Sequence, residues 1–149
     1  MRVIKVKTCS ERETIELGRR IAEFLRRGDV VGCIGELGAG KTTLIKGIAL
    51  GLGVKTPIRS PSFIIITEYK GRFPIYHIDL YRLEDTHQIR REDILEYLYS
   101  DGVALVEWAE KLWHIMPPET IKVMIENLGE KRRLIKIYSQ RFRELVEWF

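Results

Sequence analysis

The chain has 149 residues, 45% hydrophobic and 31% charged, with a net charge of +4 and two cysteines. One domain of that length, spanning residues 1–149, buries roughly 70% of its unfolded surface and needs no disulfide framework. The composition excludes a disordered or fibrous chain. The modest charge permits an anionic ligand without demanding a nucleic acid or a membrane, and no apolar run nears the roughly 18 residues of a membrane span.

Residues 3–8 alternate as a strand, with Ile4 and Val6 facing one way. The start of the chain carries no apolar core of a signal peptide, so a cytoplasmic location is expected. Ser10-Glu11-Arg12-Glu13 reads as a capping box, in which a hydroxyl and a carboxylate cover free backbone donors. The helix after it places Thr14, Leu17, Ile21, Phe24 and Leu25 on one face, pairs Glu16 with Arg20 and Glu23 with Arg27 in solvent, and stops at Gly28. Val30-Val31-Gly32-Cys33-Ile34 is short, apolar and unbroken, as in a strand buried on both faces. A glycine-rich loop follows, then a helix from about Lys41 to Leu52. Ile64 to Tyr69 and Ile75 to Asp79 read as strands joined at Lys70-Gly71-Arg72. Residues 84–100 read as mostly helical, and Val103 to Val106 as a second buried strand. Ile121 to Glu126 and Leu134 to Tyr138 read as a hairpin turning at Asn127-Leu128-Gly129-Glu130, followed by a helical tail from Gln140 to Phe149. Cys9 and Cys33 have no metal-type spacing and read as buried or semi-buried thiols. Strands and helices mixed with short connections imply a three-layer α/β fold with a mostly parallel central sheet and an antiparallel edge hairpin.

Gly35-Glu36-Leu37-Gly38-Ala39-Gly40-Lys41-Thr42 fits G-x-x-x-x-G-K-[ST], between an apolar strand and a helix as that pattern requires. Glycines permit positive φ and close approach to a polyphosphate. The backbone amides of such a loop, Gly35 to Gly40, then converge at a helix N-terminus as an anion nest. Lys41 reaches the β- and γ-phosphates, the Thr42 hydroxyl is a hard oxygen ligand for Mg²⁺, and Thr43 donates on the α-phosphate side. A nucleoside polyphosphate and Mg²⁺ are what this pattern calls for.

An enzyme with this loop needs an acid at the end of a neighbouring strand. Val103-Ala104-Leu105-Val106-Glu107 and Ile75-Tyr76-His77-Ile78-Asp79 both end in one. Glu107 is assigned to the Mg²⁺ shell, with Asp79 on the metal's water shell or the attacking water. Lys41, Asp79 and Glu107 are therefore the catalytic candidates, and Thr42 and Glu107 the metal ligands. Ser62, in Ser60-Pro61-Ser62-Phe63, offers a hydroxyl where such proteins keep a segment that senses the γ-phosphate. Trp108 either lines the nucleotide pocket or packs in the core. His77 reads as a hydrogen-bonded core residue, and His87 and His114 as solvated. In Lys131-Arg132-Arg133, Arg132 is the candidate for stacking on adenine or touching tRNA, against a solvated turn.

These pieces together resemble one family. The glycine-rich loop through Thr43, Ser60-Pro61-Ser62-Phe63, His77-Ile78-Asp79-Leu80-Tyr81-Arg82-Leu83 and Val106-Glu107-Trp108-Ala109-Glu110 match, in order and spacing, the TsaE (YjeE) family of bacterial tRNA threonylcarbamoyladenosine (t6A) biosynthesis. The resemblance covers about residues 10–111; the last forty match only loosely. It implies a P-loop NTPase fold and slow Mg²⁺-dependent ATP hydrolysis. It also implies action with TsaB and TsaD, the pair that modifies tRNA, so that contact with tRNA is indirect. By the same resemblance, Lys41 and Thr42 serve phosphate and Mg²⁺, Glu107 serves Mg²⁺, and Asp79 belongs to the catalytic or switch apparatus. Trp108 lies beside the nucleotide, and the segment around Glu11 forms an adenine rim. Ser62 stands where the family usually has Thr. Homo-oligomer formation stays open. Two other readings are a small P-loop kinase, which needs an acceptor pocket and an Arg-rich lid, and a GTP switch, for which a guanine-reading Asn-Lys-x-Asp is missing because Leu128 follows Asn127.

Overall fold

Two unbroken apolar runs form the centre of the sheet, because each has both faces covered. Strands β2 (Val30–Ile34) and β5 (Val103–Glu107) run parallel, with Val31 beside Leu105 and Cys33 beside Glu107. The computed structural model describes residues 2–36, 38–58, 66–83 and 90–139. Within them, β4 (Pro74–Asp79) extends the parallel centre on the far side of β5, and β6 (Ile121–Gly129) extends it beyond β2. Antiparallel strands close both sides. There β3 (Ile66–Lys70) pairs with β4, and β7 (Arg132–Ser139) links β6 to β1 (Arg2–Thr8). The seven strands make one sheet in the order β1-β7-β6-β2-β5-β4-β3.

Strand alternation sorts the core into two layers. Val31, Cys33, Val103 and Leu105 face helices α1 (Glu11–Ala22) and α2 (Lys41–Gly51). Val30, Ala104 and Val106 face α3 (Arg91–Leu98) and a 3-10 segment, Ala109–Ile115, on the opposite side. The result is the expected three-layer α/β arrangement. Helix α1 crosses α2 at backbone distance. A Cβ at Gly18 would come within 2.5 Å of the Leu44 carbonyl, and one at Gly47 would overlap the carbonyl of Ile15.

Several boundaries differ from those the sequence suggests. Ser10 caps α1 by accepting from the Glu13 amide at 3.1 Å, while the Glu13 carboxylate accepts from the Cys9 amide instead of that of Ser10. The helix ends at Ala22, well before Gly28, so Glu23 and Arg27 are not a helical pair; Arg27 bridges to Asp101 at 3.2 Å instead. Gly28 lies in the following turn at φ 89°. Cys9 is exposed and Cys33 buried. Of the stretch 84–100 expected to be mostly helical, α3 spans Arg91–Leu98, and residues 84–89 lie outside the described residues.

The hairpin turn is also displaced. Glu130 and Lys131, with φ of 50° and 65°, form a two-residue turn whose left-handed backbone suits the strand twist. Asn127 and Gly129, which read as turn residues, instead flank a bulge at Leu128. Leu37, Ser60-Pro61-Ser62-Phe63 with the start of the expected strand at Ile64, His87 and the 140–149 tail lie outside the described residues.

Candidate functional site

The site forms where β2, β4 and β5 deliver their carboxyl ends to one edge of the sheet, the usual position for a ligand in a parallel α/β sheet. Gly38 and Gly40 hold φ of 77° and 108°, conformations that an L side chain resists. Gly40 is also the residue before the first turn of α2, and no side chain caps that helix. The free amides of its first turn therefore face the cavity as donors for an anion.

Lys41 is 4% exposed. Its Nζ donates to the carbonyls of Gly35, at 2.5 Å, and Glu36, at 2.8 Å, and lies 4.1 Å from the centre of the Trp108 ring. Burial lowers the Lys41 pKa below the usual lysine value, against the opposing pull of Glu107 and Glu110. Trp108 follows Glu107 in a left-handed conformation at φ 59°, an uncommon state for a bulky residue. This twist swings its indole over Lys41, and Tyr81 packs on it with ring centres 5.0 Å apart. Trp108 borders the cavity and also packs against the core.

The two acids end adjacent parallel strands, with Asp79 beside Glu107. Glu107 is 3% exposed and held from both sides. Thr42 Oγ1 donates to its Oε1 at 2.7 Å, and His77 Nε2 meets its Oε2 at 2.5 Å. Asp79 is less buried and accepts from the Tyr81 amide at 3.0 Å. A cavity of about 300 Å³ joins the loop from Gly38 through Thr43 to Asp79, Tyr81, Glu107, Trp108 and Arg133.

A second cavity of about 220 Å³ lies alongside and shares Gly40, Thr43 and Arg133; Glu11, Thr14 and Lys131 complete it. Glu11 therefore shares a cavity with Gly40 and Thr43 at the start of α2. Gly35 lies beneath, holding Lys41.

Arg132 is in neither cavity; its guanidinium reaches the Leu128 carbonyl at 3.5 Å. The neighbouring Arg133 lines both cavities, with Nη2 donating to the Gly38 carbonyl at 3.4 Å and Nη1 to Asn127 Oδ1 at 2.9 Å. Consecutive strand residues point to opposite faces, so the displaced turn decides which arginine meets the loop. Tyr81 also went unassigned, although it stands within the His77–Leu83 motif.

The residues suit a magnesium ion. Thr42 and Glu107 present two hard oxygens beside the loop. Among the described residues, no group of three or more His, Cys, Asp and Glu side chains gathers to hold a metal without further ligands. Mg²⁺ is commonly held in this sparse way, by one or two protein oxygens plus phosphate oxygens and water.

A sequence model of the family described as "Threonylcarbamoyl adenosine biosynthesis protein TsaE" matches residues 8–135. That match runs past residue 111, where the recognisable motifs end, and takes in the β6–β7 hairpin. The chain is similar to the tRNA threonylcarbamoyladenosine biosynthesis protein TsaE of Bacillus subtilis, with 41% identity over 99% of this chain and 94% of that one. It is 40% identical to the protein of that same description from Aquifex aeolicus, over 88% of this chain and 92% of the other. In structure it resembles the crystal structure of Bacillus subtilis YdiB, with a TM-score of 0.78, 36% identity, and coverage of 99% of this chain and 93% of that chain.

Proposed function

This chain belongs to the TsaE family of tRNA threonylcarbamoyladenosine biosynthesis, and from that membership we propose that it binds ATP with Mg²⁺ and hydrolyses it in support of t6A formation by TsaB and TsaD. The observation that carries the reading is the gathering of Lys41, Thr42, Asp79 and Glu107 around one cavity at the uncapped start of α2.

In this reading the triphosphate lies along the loop, with its amides and Lys41 as donors. Positive φ at Gly38 and Gly40 keeps side chains out of its path. Lys41 leaves its contacts with the loop carbonyls for the β- and γ-phosphates, and the Trp108 ring supports the ammonium. Thr42 and Glu107 hold magnesium, which when bound neutralises charge on the phosphoryl oxygens. Asp79 orients the attacking water, and Thr43 bonds on the α-phosphate side. The nucleoside extends into the cavity between Glu11 and Arg133. Ser62, outside the described residues, is the residue assigned to sensing the γ-phosphate. Catalysis is then positioning and charge stabilisation, which phosphoryl transfer chiefly requires. The chain is not the transferase in this reading; its ATP cycle supports turnover of the TsaB–TsaD complex, through which it meets tRNA.

Among the described residues no helix is long and apolar enough to cross a membrane. The test is phosphate release from ATP and magnesium, with and without purified TsaB–TsaD. Stimulation by the pair supports the reading. No heat of ATP binding with magnesium, on folded protein, refutes it. Transfer of the phosphoryl group to a small acceptor in place of water would make the chain a kinase.

A further inference from the structure

The sheet places a fully buried imidazole directly behind the site. His77 lies on β4, two residues before Asp79 and beside Leu105 of β5, between the buried aliphatic positions Ile75 and Ile78. Nothing about packing demands histidine there, since an aliphatic side chain fills such a position without a polar group to satisfy. The imidazole has a cost besides: Nδ1 has no hydrogen-bond partner among the described residues. Among the described residues its one polar contact is Nε2 with Glu107 Oε2.

Glu107 has three rotatable side-chain bonds, and the Thr42 hydroxyl holds only Oε1. With His77 on Oε2 the carboxylate is clamped from both sides. We propose that His77 is a positioning residue: its Nε2–H fixes Glu107 so that Oε1 stays aligned with Thr42 for the magnesium ion. The proposal rests on the magnesium–nucleotide reading above. A donor behind a metal-binding carboxylate fixes the ligand's orientation, and losing such a partner typically weakens metal binding about 10- to 100-fold.

The test is binding of a non-hydrolysable ATP analogue while magnesium is titrated, and again in EDTA. His77→Leu is expected to raise the magnesium concentration for half-maximal binding about tenfold and to leave affinity in EDTA within about twofold. His77→Gln, whose amide can donate near the position of Nε2, should recover most of the loss. In a Glu107→Gln background, His77→Leu should add no further magnesium effect, whereas a merely structural role would lower affinity in both media and in both backgrounds. Thermal melts check folding. If His77→Leu is unfolded, His77→Gln against wild type decides alone: near-wild-type magnesium dependence supports the clamp, and a loss in EDTA as large as in magnesium overturns it. A folded His77→Leu with wild-type magnesium dependence also overturns it while leaving the nucleotide reading intact. Absence of any magnesium effect in the wild type overturns both.

Discussion

The floor and the rim of the site are built differently. The floor comes from central parallel strands and the first residue of α2, and Lys41, Glu107 and His77 on it are 4%, 3% and 0% exposed. Each side chain there touches another site residue or the loop backbone. The rim comes from the start of α1 and the β6–β7 turn, where Glu11 and Lys131 are exposed and Arg133 is half-buried. Interlocked buried groups tolerate little change, whereas exposed ones act mostly through affinity. Floor substitutions should therefore stop chemistry and rim substitutions should weaken binding.

The largest effects test the floor. Lys41→Ala and Glu107→Ala are each expected to lower ATP hydrolysis by about 100-fold or more while circular dichroism stays native. Wild-type turnover in either would remove that residue from the site. Asp79→Ala comes next. Loss of a water-orienting carboxylate should reduce kcat by about 100-fold with ATP affinity within about threefold, and an equal loss of both would make Asp79 a binding residue.

The rim gives smaller changes. Arg133→Ala should raise the Kd for ATP about tenfold, equivalent to about 1.4 kcal/mol, with Arg132→Ala near wild type. Calorimetry on the two variants separates them, and the reverse order would mean that the hairpin register in solution differs. The smallest effect concerns the thiols. Burial, with the Glu107 carboxylate adding to it, pushes the Cys33 thiol far above the usual range, whereas Cys9 is exposed. A thiol reagent at about pH 8, below an ordinary cysteine's pKa of about 8.5, should find Cys9 in the native protein and both cysteines only after unfolding. Rapid reaction of Cys33 would mean that the floor opens in solution.

Much of the floor can be read directly from the chain. The glycine-rich loop is a local motif, and runs such as Val30–Ile34 and Val103–Val106 announce buried strands by carrying no polar side chain apart from a thiol. Acids ending such strands fall at the sheet's carboxyl edge whichever strands become neighbours. The rim resists this reading because its side chains depend on pairing. Asn127 and Gly129 carry ordinary turn chemistry, yet the bulge between them moves the turn to Glu130 and Lys131. Nothing local distinguishes those outcomes, and the choice sends Arg133 rather than Arg132 to the loop.

The sequence by itself determined the phosphate-loop pattern, the two acids, the three-layer class and the family likeness, since these depend on residue type and spacing along the chain. The tertiary structure alone decided that His77 backs Glu107, that Arg133 meets Gly38, and that α1 rests on α2 through Gly18 and Gly47. Those contacts join residues distant in the chain. Strand register and helix packing, which no local pattern encodes, set which of them meet.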